Sequence, residues 1–301
     1  MKIGFYGLGR MGANMVGRLL ENGQQVVVMN RSPEPVEVAV KLGAEAAKDY
    51  KELISKLDPV IIWLMLPAQI IDEKYQELLP LLPEGSIVID GGNSDYRFSV
   101  KRAATAKEHG VNFIDVGTSG GILGRQAGYS MMVGGDKTAV ELIRPVLDAL
   151  SIPGGWQHFP ESGSGHYVKM VHNAIEYGMM ESYAEGYRML KEGPFREIDL
   201  AAAAGVWQHG SIIESKLNEL SRQALIENPG LDGIDGIVAE SGEARWTLET
   251  AKELGIAMPA VQAAFDVRLA SQSGDISFAT KLLAAMRNKF GGHQINPTKQ
   301  P

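Results

Sequence analysis

The sequence predicts an α/β fold, in which a doubly wound, largely parallel sheet in the N-terminal half is followed by an all-helical C-terminal half. Three observations support this prediction. A glycine-rich turn follows the first apolar run. Strand-like apolar runs then alternate with helical segments. Beyond about residue 162 the pattern is helical throughout. We therefore expect two domains, residues 1–162 and 163–301, as the length of 301 residues also suggests.

Charge and composition narrow the class of protein. The net charge of -7 argues against general binding of nucleic acid or a membrane surface. The chain has no cysteine, which excludes disulfides and thiolate metal sites, and we expect no metal because no ligand cluster has metal spacing. The N-terminus has no signal-peptide pattern, and the strongest apolar run is too short to span a bilayer. We expect a cytoplasmic protein.

The first turn has a dinucleotide-binding pattern. Lys2 to Tyr6 predicts a short buried strand and Ala13 to Leu20 predicts a helix. In the intervening G-x-G-x-x-G, the first glycine makes the turn, the second lets a pyrophosphate approach and the third allows close packing. This context makes a Rossmann-type domain a better interpretation than a glycine turn without a ligand. The predicted cofactor-binding residues here are Gly7, Leu8, Gly9, Arg10, Met11 and Gly12.

The end of the second predicted strand, Gln24 to Met29, bears on the choice of cofactor. An NAD enzyme usually has an acidic residue there for the ribose hydroxyls. This chain has Asn30, Arg31 and Ser32 instead. Arginine pairs with a 2′-phosphate and serine can donate to it, which favours NADP while leaving NAD possible. The alternative is that Arg31 is an exposed residue that stacks on adenine without discriminating.

Further strands and helices alternate along the N-terminal half. Near-continuous apolar strands indicate a parallel sheet covered on both faces. The predicted strands are Val60 to Leu66, Ser86 to Asp90, Val111 to Val116 and Tyr129 to Val133, and the predicted helices are Val36 to Leu42, Ile70 to Leu79 and Ser99 to His109. Because ligands bind at the carboxyl ends of such strands, we also expect Leu66 to contact the cofactor.

Two glycine-rich loops follow strand ends of this predicted sheet. They are Asp90-Gly91-Gly92-Asn93-Ser94 and Gly117-Thr118-Ser119-Gly120-Gly121. Both expose backbone N–H groups and could hold a substrate carboxylate or hydroxyl beside a nicotinamide. Ordinary glycine turns are the alternative. The candidate substrate-binding residues are Asn93, Ser119, Gly120 and Gly121, and Asn93 is also a predicted cofactor-binding residue.

The segment Gly163 to Tyr177 carries polar residues at helical spacing. Lys169, His172, Asn173 and Glu176 fall at i, i+3, i+4 and i+7, so they share one helix face. The remaining positions are largely apolar, which predicts a mostly buried helix whose polar side lines a cavity. Alternatively, the lysine and glutamate are solvated or paired and the histidine is a satisfied core residue. Burying a lysine and a glutamate without use is costly, which favours a functional site.

The rest of the chain predicts helices only. They are Met179 to Leu190, Ala201 to Trp207, Ser211 to Arg222, Thr247 to Leu254, Ala260 to Ser271 and Ser277 to Phe290. Arg268 and Arg287 lie on these helices and are either surface charges or ligands of a substrate phosphate. The stretch Gly291 to Pro297 is either a frayed tail or an arm that reaches another surface.

These motifs resemble the decarboxylating 6-phosphogluconate dehydrogenases of the β-hydroxyacid dehydrogenase superfamily, over most of the chain. The matching motifs are G-L-G-x-M-G, N-R-S, D-G-G-N-S, S-G-G, K-M-x-H-N-x-x-E-Y, F-x-V-R and R-N-K-F-G-G-H. K-M-x-H-N-x-x-E-Y is the most specific of them. The length is similar to that of the short-subunit subgroup. The resemblance implies oxidative decarboxylation of 6-phosphogluconate to ribulose 5-phosphate and carbon dioxide, a reaction of the pentose phosphate pathway, with NADP as cofactor.

The resemblance also implies roles for residues. Lys169 would be the general base at the 3-hydroxyl, Glu176 the acid that protonates C1, and Asn173 would assist at the reacting centre. Arg287 and His293 would come from a neighbouring subunit, which implies a homodimer or homotetramer whose C-terminal arm completes the adjacent site. The implied substrate-binding residues are Asn93, Ser119, Gly120, Gly121, His172, Asn173, Tyr177, Arg268, Arg287 and His293.

One segment departs from the family pattern. Long-subunit members carry Lys-Gly-Thr-Gly-Lys-Trp-Thr, where this chain has Ser241-Gly242-Glu243-Ala244-Arg245-Trp246-Thr247. Glu243 would repel a phosphate if it pointed inward. Two alternatives therefore stay open: a non-decarboxylating enzyme acting on a substrate like 3-hydroxyisobutyrate, and an inactive dinucleotide-binding protein. The first would keep Lys169 but should not need Glu176, and its typical members lack the G-G-N-S and H-N-x-x-E-Y patterns. The presence of both Lys169 and Glu176 argues against the second.

Overall fold

Residues 1–292 are described by the structure, a computed structural model. The chain divides into two units, Met1–Met170 and a second that begins at Val171. The predicted tail beyond Gly292 and His293 lie outside the described residues.

The first unit is built on one sheet of eight strands. Its order is β3-β2-β1-β4-β5-β6-β7-β8, in which the first six strands have the doubly wound order typical of dinucleotide-binding domains. Every pair is parallel except β6 with β7, which is antiparallel. The strands are β1 (Lys2–Tyr6), β2 (Gln25–Met29), β3 (Glu45–Ala46), β4 (Ile61–Leu64), β5 (Ile87–Asp90), β6 (Asn112–Ser119), β7 (Tyr129–Gly135) and β8 (Ser151–Pro160).

Helices connect these strands and then form the second unit. Two short 3-10 turns, Leu79–Leu81 and Gly121–Leu123, accompany them. The first eight helices are α1 (Arg10–Glu21), α2 (Pro33–Lys41), α3 (Tyr50–Ser55), α4 (Ile71–Leu78), α5 (Tyr96–Glu108), α6 (Gly124–Ala127), α7 (Lys137–Leu142) and α8 (Arg144–Leu150). The others are α9 (Ser164–Glu192), α10 (Leu200–Trp207), α11 (Lys216–Glu227), α12 (Glu243–Glu253), α13 (Pro259–Gln272) and α14 (Phe278–Gly291).

The sheet has a hydrophobic core on each face. Successive side chains of a strand point to opposite faces, so a strand buried on both sides is apolar throughout. On β4, Ile61 and Trp63 pack into one core, whereas Ile62 and Leu64 pack into the other. The buried runs in the sequence are therefore explained by two layers of helices over one sheet, and the predicted fold class is confirmed.

Helix α9 differs from the prediction in length and burial. It runs unbroken for 29 residues, where the sequence suggested a second helix starting at Met179. One stripe is buried, including Ala174 and Tyr177, but Ile175 and Met179 are 53% and 42% exposed. Within the predicted helix, Gly163 to Tyr177, only Tyr167 and Ile175 are exposed, so the expected burial applies to most but not all of its surface.

Smaller differences concern element boundaries and missed elements. Helix α11 starts at Lys216 and not at Ser211, because the Ser215 side chain accepts from the Asn218 N–H and caps it. Strands β3 and β8 were not predicted. Among residues 1–292, the helices lack the combination of length and apolar character that a membrane span requires.

Candidate active site

The turn between β1 and α1 has the geometry that a pyrophosphate requires. Gly7 has φ +107°, and a Cβ there would lie 2.3 Å from the Met65 carbonyl oxygen. A Cβ on Gly12 would lie 2.0 Å from the Gly7 oxygen, whereas a Cβ on Gly9 meets no atom within 4 Å. Gly9 is the N-cap of α1 and supplies no side-chain cap. Among residues 1–292, no N-cap side chain therefore caps the first turn of α1, which is the arrangement found at phosphate-binding helix N-termini. Leu8 is buried here, while Arg10 is exposed and Met11 is half-buried.

The end of β2 is tied to the glycine turn. Asn30 Oδ1 accepts from the Leu8 N–H at 2.9 Å, and Asn30 Nδ2 donates to the Ser32 carbonyl at 3.0 Å. Asn30 therefore organises the loop rather than presenting its amide to solvent. Arg31 is exposed, and Ser32 is the N-cap of α2 without a side-chain capping bond. Both side chains can thus reach a ligand.

The loops after β4 and β5 meet beside the glycine turn. A Cβ on Gly92 would lie 2.6 Å from the Leu66 carbonyl oxygen. The Asp90 carboxylate accepts from the Gly92 N–H at 3.1 Å, from Ser94 Oγ at 2.9 Å and from Arg102 Nη1 at 2.8 Å. These bonds hold the loop that carries Asn93. Asn93 Oδ1 is buried and has no hydrogen-bond partner in the described chain. Because buried acceptors are usually hydrogen-bonded, this atom is a candidate ligand-binding acceptor.

The end of β6 supplies the third loop. Ser119 is the last residue of the strand, and Gly120 and Gly121 have φ of +127° and +53° as the chain enters a 3-10 turn. The Thr118 hydroxyl lies 3.4 Å from the Gly91 carbonyl oxygen, which joins this loop to the one after β5. The predicted ligand residues after β1, β4, β5 and β6 therefore lie at one edge of the sheet.

The first turn of α9 is fixed against β6 and β7. The buried Asp115 carboxylate accepts from the Gly163 N–H at 2.6 Å and from the His166 N–H at 2.8 Å. A Cβ on Gly165 would lie 2.4 Å from the Met132 oxygen, and a Cβ on Gly117 would lie 2.2 Å from Lys169 Cβ. Close backbone approach at these glycines brings Lys169 to the sheet, where its side chain is only 4% exposed.

The polar residues of the next turn of α9 belong to the second unit and form a connected group. His172 Nδ1 lies 2.9 Å from Asn173 Oδ1 and 3.9 Å from Glu176 Oε2. Asn173 Nδ2 donates to Glu243 Oε1 at 2.9 Å. Glu243 therefore points inward, toward the polar stripe of α9. Its contact with Asn173 was not anticipated from the sequence.

Two buried arginines lie near Tyr177 in the second unit. The Arg268 guanidinium carbon is 3.3 Å from the centre of the Tyr177 ring. Burial lowers the pKa of Arg268 to about 10, which Arg287 reinforces and Tyr177, Glu176 and Glu181 oppose. Burial also lowers the pKa of Arg287, against the effects of Tyr177, Glu176 and Glu243. Two desolvated guanidinium groups beside one tyrosine favour an anionic ligand.

The sequence did not predict that Asp115 caps the start of α9, or that Gly117 packs against Lys169. Both residues were assigned only to a strand and a loop. Asp115 offered a signal, because an acidic residue within an apolar strand is stable only where it accepts several hydrogen bonds. The signal for Gly117 was weaker, since glycine in a loop is common.

The fold and this arrangement define a dinucleotide-binding oxidoreductase with a helical second domain. A family model for the NAD binding domain of 6-phosphogluconate dehydrogenase matches residues 2–156, and one for the C-terminal domain of that enzyme matches residues 165–279. The chain belongs to the 6-phosphogluconate dehydrogenase family, which confirms the resemblance predicted from its motifs.

Individual relatives agree with this membership. The NAD(+)-dependent, decarboxylating 6-phosphogluconate dehydrogenase of Haloferax volcanii is 39% identical, with 98% of both chains covered. The Plasmodium falciparum 6-phosphogluconate dehydrogenase structure, described in apo form and with NADP+ and 6-phosphogluconate, has a TM-score of 0.83 at 30% identity, covering 100% of this chain and 67% of that one. A Mycobacterium tuberculosis 3-hydroxyisobutyrate dehydrogenase shares the fold, with a TM-score of 0.74 at 21% identity over 93% of this chain and 97% of its own.

Proposed function

We propose that this chain catalyses the oxidative decarboxylation of 6-phosphogluconate to ribulose 5-phosphate and carbon dioxide. The observation that most directly supports the proposal is the buried position of Lys169. A family member needs a base beside the cofactor, and here the lysine is buried against Gly117, on the sheet edge that carries the dinucleotide-binding turn. The dinucleotide-binding role of residues 1–162 and the substrate-binding role of residues 163–301 form part of the same proposal.

The proposed chemistry uses two residues of α9. When bound, the nicotinamide supplies the hydride acceptor for C3 of the substrate. Lys169, in its neutral form, takes the proton of the 3-hydroxyl as general base. The β-keto acid then loses carbon dioxide while protonated Lys169 stabilises the developing enolate oxygen. Glu176, two turns further along the helix, delivers a proton to C1.

Other predicted residues would hold the substrate. Asn93 has a buried acceptor without a partner in residues 1–292, and Ser119, Gly120 and Gly121 offer backbone N–H groups. His172 and Asn173 would bind hydroxyl groups. Tyr177, Arg268 and Arg287 would bind the 6-phosphate, which the two buried guanidinium groups support.

NADP is the cofactor we propose as preferred, with NAD as a weaker alternative. The supporting observations are the absence of an acidic residue at Asn30-Arg31-Ser32 and the exposure of Arg31, which leaves its guanidinium accessible to a 2′-phosphate. Relatives of both kinds exist, since the Haloferax volcanii enzyme is described as NAD(+)-dependent and the Plasmodium falciparum structure as complexed with NADP+.

A homodimer or homotetramer completes the proposal, with the C-terminal arm contributing His293 to a neighbouring site. Arg287 is not included in that contribution, although the family resemblance implied it, because Arg287 lies near Tyr177 and Glu176 of its own chain. Supporting the oligomer, several apolar side chains of the second unit are exposed in the single chain. They are Ile175, Met179, Met189, Phe195, Val206, Ile212 and Ile213. Exposed apolar area of this kind is typical of subunit interfaces.

The test is turnover of 6-phosphogluconate with NADP and, separately, with NAD, while carbon dioxide is trapped. We expect one carbon dioxide for each nicotinamide reduced. A parallel assay uses 3-hydroxyisobutyrate, from which no carbon dioxide is expected. Activity on that acid without activity on 6-phosphogluconate would contradict the proposal.

A further inference from the structure

Glu243 is a buried carboxylate at the start of α12 for which the proposed chemistry has no role. Its side chain is 5% exposed, and Oε1 accepts from Asn173 Nδ2 at 2.9 Å. Oε2 has no hydrogen-bond partner within residues 1–292. A buried carboxylate with one oxygen outside any hydrogen bond is costly, although the nearby Arg287 offsets part of this cost. This cost indicates a role beyond packing.

The contacts of Glu243 fix the orientation of the next side chain. An ionised carboxylate only accepts hydrogen bonds, so the group of Asn173 that faces it is the NH2 group. The carbonyl oxygen of Asn173 must then face the other way, and it lies 2.9 Å from His172 Nδ1. Because an amide oxygen only accepts, the proton of that hydrogen bond belongs to His172 Nδ1.

The neighbouring carboxylate on α9 favours the same arrangement. Glu176 Oε2 lies 3.9 Å from His172 Nδ1, so a proton on that nitrogen also faces a negative charge. A proton on Nδ1 leaves the lone pair of neutral imidazole on Nε2.

We infer that Glu243 is a positioning residue that acts through Asn173 to hold neutral His172 as the Nδ1–H tautomer. On this assignment His172 Nε2 is a hydrogen-bond acceptor. The tautomer assignment rests on contacts within the second unit alone, whereas its effect on substrate binding rests on the proposed function.

The direct test is histidine-selective ¹⁵N NMR of the full chain, which distinguishes protonated from unprotonated ring nitrogens. The spectrum is recorded at a pH where the ring carries one proton, and the His172 signals are assigned by their loss in His172→Gln. We expect Nδ1 protonated and Nε2 unprotonated. A wild-type spectrum with the proton on Nε2 would overturn the inference by itself.

Three variants test whether Glu243 is the cause. Glu243→Leu removes the acceptor at similar volume, so the Nε2–H tautomer should appear. Glu243→Gln can still present a carbonyl oxygen to Asn173, so the Nδ1–H tautomer should persist. Glu249→Leu, at an exposed position on the same helix, should leave the spectrum unchanged. An Nδ1–H tautomer that survives in folded Glu243→Leu would contradict the inference. If that variant does not fold, the wild-type spectrum still tests which ring nitrogen of His172 carries the proton.

Kinetics then separate positioning from a general structural role. We expect Glu243→Leu to raise the KM for 6-phosphogluconate about tenfold, the size of one lost hydrogen bond, while the Kd for NADP changes less than about twofold. Glu243→Gln should restore most of the KM. Equal losses in both variants would contradict a role through Asn173. Absence of wild-type turnover would refute the proposed function, but the NMR result would still stand.

Discussion

Gly117 on β6 and Lys169 on α9 approach so closely that a Cβ on the glycine would lie 2.2 Å from Lys169 Cβ. The same Cβ would lie 2.9 Å from the Gly165 carbonyl oxygen, so the backbone of α9 could not absorb the clash. A side chain at Gly117 must therefore displace the lysine and the first turn of its helix.

Gly117→Ala tests this relationship. We expect turnover to fall about a hundredfold, because a displacement of about 1 Å at a reacting group has effects of this size. The Kd for NADP should change little. The control is Gly178→Ala on the same helix, where a Cβ would meet no atom within 4 Å. This substitution should stabilise the helix by about 0.5–1 kcal/mol. Near-normal turnover of folded Gly117→Ala would show that Lys169 tolerates displacement.

The cap supplied by Asp115 should make a large contribution to stability. Asp115→Asn leaves one oxygen for two N–H donors that use separate carboxylate oxygens, so about 1–3 kcal/mol of the free energy of unfolding should be lost. Urea denaturation measures the change. Asp136→Asn is the matched control, because Thr138 N–H and Ala139 N–H both donate to Asp136 Oδ1, which asparagine can reproduce. Similar losses of stability in both variants would contradict the claim that Asp115 needs two carboxylate oxygens.

Arg31 should discriminate between the cofactors. Arg31→Ala removes a charge-assisted contact with a 2′-phosphate, so the Kd for NADP should rise about tenfold or more, while that for NAD changes less than about threefold. Isothermal titration with each cofactor measures both values. Lys41→Ala, at the exposed end of α2, controls for the loss of a positive charge. Equal weakening of both cofactors would exclude the 2′-phosphate role.

Glu181 should make stability depend on pH. Burial and the nearby Glu185 raise its pKa from 4.5 to about 7, against the opposing effect of Arg268. Between these values the folded chain binds more protons than the unfolded chain, so the contribution of Glu181 to stability falls as pH rises. Glu181→Gln should thus be more stable than the wild type at pH 8, by about 1–3 kcal/mol, with a smaller difference near pH 4.5.

Urea denaturation at the two pH values provides the measurement for Glu181. Glu185→Gln serves as the control, because Glu185 is exposed and should show only a minor effect. A stability difference between Glu181→Gln and the wild type that does not vary with pH would contradict a raised pKa at this carboxyl.

The sequence predicted the elements that local chemistry determines. The turn Gly7 to Gly12 and the apolar run from Ile61 to Leu64 have patterns that few other structures satisfy, and both lie as expected. The spacing of Lys169, His172, Asn173 and Glu176 likewise predicted a helix. Boundaries were less certain, because Ser211 and Ser215 are both suitable N-cap residues for α11 in the sequence.

Long-range contacts could not be predicted in the same way. Asp115 binds N–H groups about 50 residues later in the chain, and Asn173 meets a carboxylate 70 residues away. Neither contact leaves a periodic signal in one sequence. The sequence predicted that Glu243 would oppose phosphate binding if its side chain pointed inward. The side chain does point inward and contacts Asn173, a partner that the sequence did not predict.

The role of Lys169 as the general base is the central claim, and Lys169→Met tests it most directly. The measurement is the steady-state rate of nicotinamide reduction with 6-phosphogluconate, together with the Kd for NADP. Methionine keeps the length of the side chain and removes its basic group. We expect the rate to fall by a factor of about 1,000 or more with the Kd for NADP unchanged, since loss of general base catalysis has effects of about 10²–10⁴. A rate within about tenfold of the wild type would contradict the assignment.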